Sequence, residues 1–158
     1  MAKFPEGKGL PCGLSLLPNK RSETYEMMLN SIKDKVGPTN SLRKIRVDFE
    51  IAIWTSIRLL YPDVDVGGCI FHQRKAVWHH LAQLGLQPLF HNDAEFQEWV
   101  YKFYALSYCP PAEVVRLYEE QLLPLIEKKT DQGGDWEDGE EDFVKLLTYL
   151  ESTWIGRC

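Results

Sequence analysis

A chain of 158 residues can bury a real core as one domain, and 44% hydrophobic with 12% aromatic residues excludes disorder for most of it. The net charge of −5 hides a gradient. Residues 1–46 hold nine Lys and Arg against four Asp and Glu, whereas residues 47–158 hold nine against nineteen. A basic N-terminal third can meet phosphates, but an ordinary solvated surface is the commoner cause of such a bias, so charge does not identify a nucleic-acid binder.

The chain opens on Met-Ala-Lys-Phe-Pro-Glu-Gly, which lacks the apolar core of a signal peptide. No uninterrupted apolar run approaches the ~18 residues of a spanning helix, so no membrane is expected. Four scattered cysteines, Cys12, Cys69, Cys109 and Cys158, form no Cys-x-x-Cys pair and read as reduced thiols of an intracellular protein. Gly9 to Leu17 suits a first strand, with Pro11 at an edge position. Pro18-Asn19-Lys20 turns the chain, and Ser22 is the expected N-cap of a helix. Its apolar face is Tyr25, Met28, Leu29, Ile32 and Val36, and Gly37-Pro38 stops it. Lys44 to Phe49 alternates as a second strand, with Ile45, Val47 and Phe49 on one side. Ile53, Trp54, Ile57, Leu60 and Tyr61 then form a helical face, and Val66 to Phe71 reads as a third strand.

The remainder reads as helical. Ala76, Val77, His80, Leu81 and Leu84 form one stripe, ended by Gly85. Phe96, Trp99, Val100, Phe103, Leu106 and Ser107 form another, stopped by Pro110-Pro111. Val114, Leu117, Tyr118, Leu122 and Leu125 form a third, with a bend expected at Pro124. An acidic loop from Thr130 to Asp142 reads as solvated, and Phe143, Leu146, Leu147, Leu150 and Trp154 mark a last helix. Strands alternating with helices predict an α/β protein: a largely parallel three-stranded sheet with covering helices, then an all-α region. Three strands make a thin sheet. Either the chain is a fragment or a partner completes its sheet.

Asp48 is the leading candidate for chemistry, because it ends a β-branched run directly before a helix. Ligands gather at the carboxyl ends of strands in open α/β sheets, and a carboxylate there can ligate Mg²⁺. Two such ions stabilise the attacking and leaving oxygens of phosphodiester chemistry. Capping of the following helix is the commoner role of such an Asp, and Glu50 fits a helix-dipole role. Cys69 and His72 are spaced as paired metal ligands often are, and His79, His80 and His91 lie downstream. That spacing misses the usual zinc pattern, and His80 falls on an apolar stripe as a packed core histidine would. No Gly-x-Ser-x-Gly elbow, phosphate-binding loop or His-Glu-x-x-His motif is present. The acidic loop around Asp135, Glu137 and Asp138 lacks calcium-loop spacing.

Several motifs in order resemble the animal Mutator-like (MULE) transposases of the RNase H-like superfamily. Leu-Leu-Pro-Asn-Lys (16–20) with Thr24 and Tyr25 is similar to their strand-to-helix segment. Arg-Val-Asp-Phe-Glu (46–50) with Ala52, Tyr-Pro-Asp (61–63), Gly-Cys-Ile-Phe-His (68–72), Ala76 and Trp78 resembles their central block. Gly-Leu-Gln (85–87), Ala105-Leu106 and Cys-Pro-Pro-Ala-Glu-Val (109–114) resemble a helical insertion. Tyr149 to Arg157 resembles the approach to their last acidic residue. The resemblance covers most of residues 10–157, and the ordered set is more specific than any single motif.

The resemblance implies a partial RNase H-like core over residues 1–84 and a helical insertion over 85–158. It also implies metal-dependent DNA cleavage and strand transfer by an Asp-Asp-Glu triad with Mg²⁺ or Mn²⁺, transposon-end DNA as partner, and a nuclear location. Asp48 then matches the second acid of the triad and a metal ligand, and Cys69 and His72 match the family's Cys-x-x-His motif. The first Asp, in an Asp-Gly-Thr-Phe stretch, and the final acid beyond Arg157 are not among these residues. The expectation is therefore a truncated fragment, inactive alone, that does not bind metal tightly. Two alternatives remain: a domesticated module binding DNA, a protein partner or its own copies without catalysis, and a small zinc-binding domain.

Overall fold

The computed structural model describes residues 13–37, 42–131, 136 and 139–156. The chain divides into two compact units, residues 1–69 and residues 70–158. In the first, helix α1 (Ser22–Val36) is followed by strand β1 (Lys44–Val47), helix α2 (Ile51–Leu60) and strand β2 (Asp65–Gly68). The N-cap of α1 is Arg21 rather than Ser22. Asn19 decides this: its Oδ1 accepts the Arg21 N–H at 3.0 Å and the Thr24 hydroxyl at 2.7 Å, so the turn closes before Ser22. At the other end Gly37, with φ of +79°, leaves the helical path while its N–H still reaches the Lys33 carbonyl.

Strands β1 and β2 run parallel, with Lys44 opposite Asp65 and Val47 opposite Gly68. Ile45, Val47 and Val66 pack against Leu29 of α1 and Ile57 and Tyr61 at the end of α2. Ser56 is fully buried, and its hydroxyl lies within 3.0 Å of the Ser22 carbonyl and 2.9 Å of the Ala52 carbonyl. One hydroxyl so placed ties the start of α1 to the middle of α2 and leaves no polar atom stranded.

The expected three-stranded sheet of a partial RNase H-like core is not formed. Among the described residues the sheet has two strands, and most of the chain is helical. The strand expected at Gly9 to Leu17 lies partly outside the described residues, and residues 13–17 carry no strand. Alternating apolar residues supply a face, but a strand also needs a neighbour for its N–H and C=O groups. The last expected strand, Val66 to Phe71, is shorter too. It ends at Gly68, and helix α3 begins at Ile70, so Phe71 is helical and 68% exposed.

Within the second unit every regular element among the described residues is helical: α3 (Ile70–Gln83), α4 (Gln87–Asn92), α5 (Ala94–Ala105), α6 (Pro111–Leu117), α7 (Leu123–Thr130) and α8 (Glu140–Leu150). Gly85, at φ of +72°, ends α3 and lets the Leu86 N–H return to the Leu81 carbonyl at 2.9 Å. The bend expected at Pro124 is a wide π-type turn over Tyr118–Leu122, between α6 and α7. A proline has no N–H to give and its ring crowds the preceding carbonyls, so the helix widens before it. The Trp99 indole N–H, buried in the core, donates to the Leu122 carbonyl at 2.9 Å.

The core of this unit is aromatic. Phe96, Trp99, Phe103, Tyr118 and Phe143 are at most 1% exposed, with Leu81, Leu146 and Leu150 packed among them. Trp136 lies in the acidic loop read as solvated, yet its ring stacks on Phe143 at 5.2 Å and meets the Phe96 edge at 5.4 Å. Asp93 connects this ring to α5. Its Oδ1 accepts the Phe96 N–H at 2.8 Å as a true N-cap, and its Oδ2 accepts the Trp136 indole N–H at 3.0 Å. Burial pushes the Asp93 carboxyl up, but those two hydrogen bonds, the Glu95 N–H and the Lys129 charge outweigh it, and its pKa falls below the usual value.

Replacing Asp93 with Ala removes the cap and strands the Trp136 N–H, so urea unfolding is expected to show a loss of about 1–3 kcal/mol. Because the folded-state pKa is the lower one, this contribution is complete above the ordinary carboxyl value near pH ~4 and fades as pH falls through the folded value. Native and Asp93→Ala stabilities should therefore differ most at neutral pH and converge in acid.

Candidate functional site

Asp48 stands one residue past the end of β1, and Cys69 one residue past the end of β2. Since Val47 pairs with Gly68, the parallel register sets these two residues side by side at the carboxyl edge of the sheet. The Cys69 N–H donates to the Val47 carbonyl at 2.8 Å and extends the pairing by one bond. This is the place where open α/β sheets present groups to ligands.

The loop holding Asp48 is fixed from three directions. The Trp54 indole N–H donates to the Asp48 carbonyl at 2.7 Å, and the Phe49 ring stacks on Trp54 at 6.5 Å. Phe49 was expected on the same side as Ile45 and Val47. The strand stops at Val47, so the alternation ends there and the Phe49 ring lies over Gly68 instead. A Cβ on Gly68 would stand 2.2 Å from Phe49 Cζ, so the glycine is what admits the ring. The Arg58 guanidinium covers the Trp54 ring at 5.5 Å.

Asp48 itself is exposed, and its Oδ1 accepts the Phe49 N–H at 2.7 Å. It is not the N-cap of α2. That position belongs to Glu50, whose side chain makes no cap hydrogen bond. The Glu50 carboxylate instead turns back to α1, with Oε2 3.0 Å from Lys20 Nζ and Oε1 accepting the Tyr25 hydroxyl at 3.0 Å. Burial, then the bond to Glu50 and its charge, push the Tyr25 phenol up, and the Glu50 hydrogen bond and charge raise Lys20. Sequence reasoning saw in Glu50 only a helix-dipole charge. Its partners lie 25 and 30 residues away, beyond the reach of local pattern.

His72 belongs to the second unit, in the first turn of α3, exposed and with its ring 5.5 Å from Phe71. The other histidines of the second unit are dispersed. His79 lies 3.3 Å from the Gln83 amide nitrogen, and His91 packs at the Trp78 and Phe90 edges. His80 packs as a core histidine does, half-buried and stacked on Tyr149 at 3.9 Å. Among the described residues no group of three His, Cys, Asp or Glu side chains is placed to hold a metal ion. Among the described residues a divalent cation at the sheet edge would find Asp48, with Glu50 already engaged. Mg²⁺ takes several hard oxygen donors, so these residues do not fit a two-ion centre by themselves. Cys12, Cys158 and the loop acids Asp135, Glu137 and Asp138 lie outside the described residues. No helix among the described residues is long and apolar enough to cross a membrane.

Comparison with protein-family models, curated proteins and solved structures gives no match.

The two glycines of β2 offer a test of how this edge is built. Gly68→Ala must displace the Phe49 ring from its place beside Trp54, an overpacking cost of about 1–3 kcal/mol. At Gly67 the clashing atoms belong to the Arg46 guanidinium, a flexible tip paired with Asp65 at 3.1 Å on the surface. Gly67→Ala should therefore cost under about 1 kcal/mol. Chemical denaturation of both variants checks the order, and Trp fluorescence should shift only for Gly68→Ala.

Proposed function

We propose that this chain is a piece of a Mutator-like DNA transposase that does not cut or join DNA by itself. One observation carries the reading: the family-like motifs follow in order along most of the chain, and the central pair, Asp48 and Cys69, falls at neighbouring ends of two parallel strands. The proposal rests on those motifs and not on a three-stranded core, which the described residues do not build. In the parent enzymes the resemblance implies Mg²⁺ or Mn²⁺, transposon-end DNA and a nuclear location. In this chain Asp48 is the residue matching a metal ligand, and Cys69 and His72 match the supporting motif.

With Asp48 the carboxylate that the described residues place at this edge and Glu50 engaged by Lys20 and Tyr25, neither activation of water nor stabilisation of a leaving oxygen follows. Incubating supercoiled plasmid or transposon-end DNA with the chain in Mg²⁺ or Mn²⁺ is expected to give no nicking above buffer, with Asp48→Asn indistinguishable from the native chain. Metal-dependent nicking that disappears in Asp48→Asn would refute the inactivity. For the ancestry, an Asp-Gly-Thr-Phe stretch upstream in the genomic reading frame and an Asn-Asn-x-x-Glu-like stretch downstream are expected. Finding neither would count against it.

A binding role without catalysis has one specific observation in its favour. The second unit holds eight Lys and Arg against fifteen Asp and Glu, which suits a protein partner better than a phosphate backbone. On this reading DNA binding is weak. A steep loss of DNA affinity with rising salt would instead mark a nucleic-acid interface.

A further inference from the structure

Among its described residues the first unit exposes an apolar surface along α1. Residues 13–18 and the outer face of α1 border a groove of about 980 Å³, with Leu14 and Leu16 on one wall and Met27, Ile32 and Val36 on the other. Leu14 and Leu16 are 92% and 93% exposed, and Met27 and Val36 are more than 70% exposed. Lys35 is the one charged residue of the lining. The backbone groups of residues 13–17 make no hydrogen bond with other described residues. An exposed apolar patch and a run of unpaired backbone groups are each an association site, and here they coincide.

We propose that this surface is the contact between two copies of the chain, formed by antiparallel pairing of Gly13–Leu17 about a two-fold axis at Ser15. Such pairing sets Leu14 opposite the partner's Leu16, and Gly13 opposite the partner's Leu17. A two-fold contact needs a surface complementary to itself. This one qualifies, because the segment offering free N–H and C=O groups lies beside the groove that its leucines can fill on the other copy. The near-absence of charge removes the like-charge repulsion that two-fold symmetry would otherwise impose. The same pairing gives the strand-like pattern of this segment the neighbour that no other described residue supplies.

Sedimentation velocity of the full chain over a range of concentrations is the test, with the native chain expected as a reversible dimer. Leu14→Glu with Leu16→Glu is expected to weaken the dimer about a hundredfold or more, since the symmetric interface loses two leucines from each copy. Both side chains are almost fully exposed in the single chain, so the helical circular dichroism should not change. The two Ser15 residues at the axis form a hydrogen-bonded pair in this arrangement, so Ser15→Pro, which removes that N–H and leaves both leucines, should weaken the dimer as well. A native chain that is monomeric throughout overturns the proposal, whether the groove then takes another protein or another part of the same chain. So does a dimer that survives the double variant. A dimer indifferent to Ser15→Pro overturns the strand pairing.

Discussion

Two parallel strands cannot be joined by a tight turn, and this constraint shapes the whole first unit. The chain must leave the end of β1, cross over and return to the start of β2, and α2 is that crossover. With Val47 opposite Gly68, the residues that leave the sheet, Asp48 and Cys69, are neighbours by necessity. The crossover also needs something to pack against, and α1 supplies Tyr25 and Leu29 for that purpose. Glu50 fastens the arrangement, since it begins α2 yet holds Lys20 and the Tyr25 hydroxyl on the α1 side. Register, crossover and helix pairing therefore stand or fall together.

The second unit solves a different problem with a different device. Its helices are short, several of six to eight residues, and such helices are marginal without tertiary support. Aromatic rings supply that support, because each buries a large area and few are needed. Their polar atoms must still be satisfied. Trp99 finds the Leu122 carbonyl at the wide turn before Pro124, and Trp136 finds Asp93. Two hydrogen bonds thus sit where irregular backbone or a helix start offers an unpaired group. Lys129, over the Trp136 ring at 5.7 Å and paired with Glu95, closes the surface above them.

Local periodicity made the helical stripes and the Lys44–Val47 strand legible, because burial on one side of a helix or strand leaves a repeat of fixed length. Gly37 and Gly85 were legible as stops for a similar reason: each takes a positive φ that other residues resist. What failed were features that depend on distant partners. Gly9 to Leu17 has the pattern of a strand, but pattern does not supply a neighbour, and without that strand the three-stranded sheet expected of a partial RNase H-like core goes too. Trp136 was hidden by its acidic neighbours, although a lone Trp between Asp135 and Glu137 is itself a sign that one side chain of the loop is buried. At the sheet edge, Asp48 and Cys69 were legible as residues. Their adjacency was not, since only the register between strands twenty-one residues apart creates it.

The two acids at the end of β1 show why position in a motif does not carry chemistry with it. Asp48 and Glu50 are two residues apart, and a carboxylate pair at a strand end would begin a divalent-cation site. They part before α2 begins. Asp48 stays exposed beside its own loop, while Glu50 is turned back against α1. Recruiting Glu50 to a cation would release Lys20 and take the acceptor from the part-buried Tyr25 hydroxyl, a loss of about 1 kcal/mol. Glu50 thus maintains the fold at the expense of any role beside Asp48. Further oxygen donors for a cation at Asp48 must reach it from elsewhere than this loop.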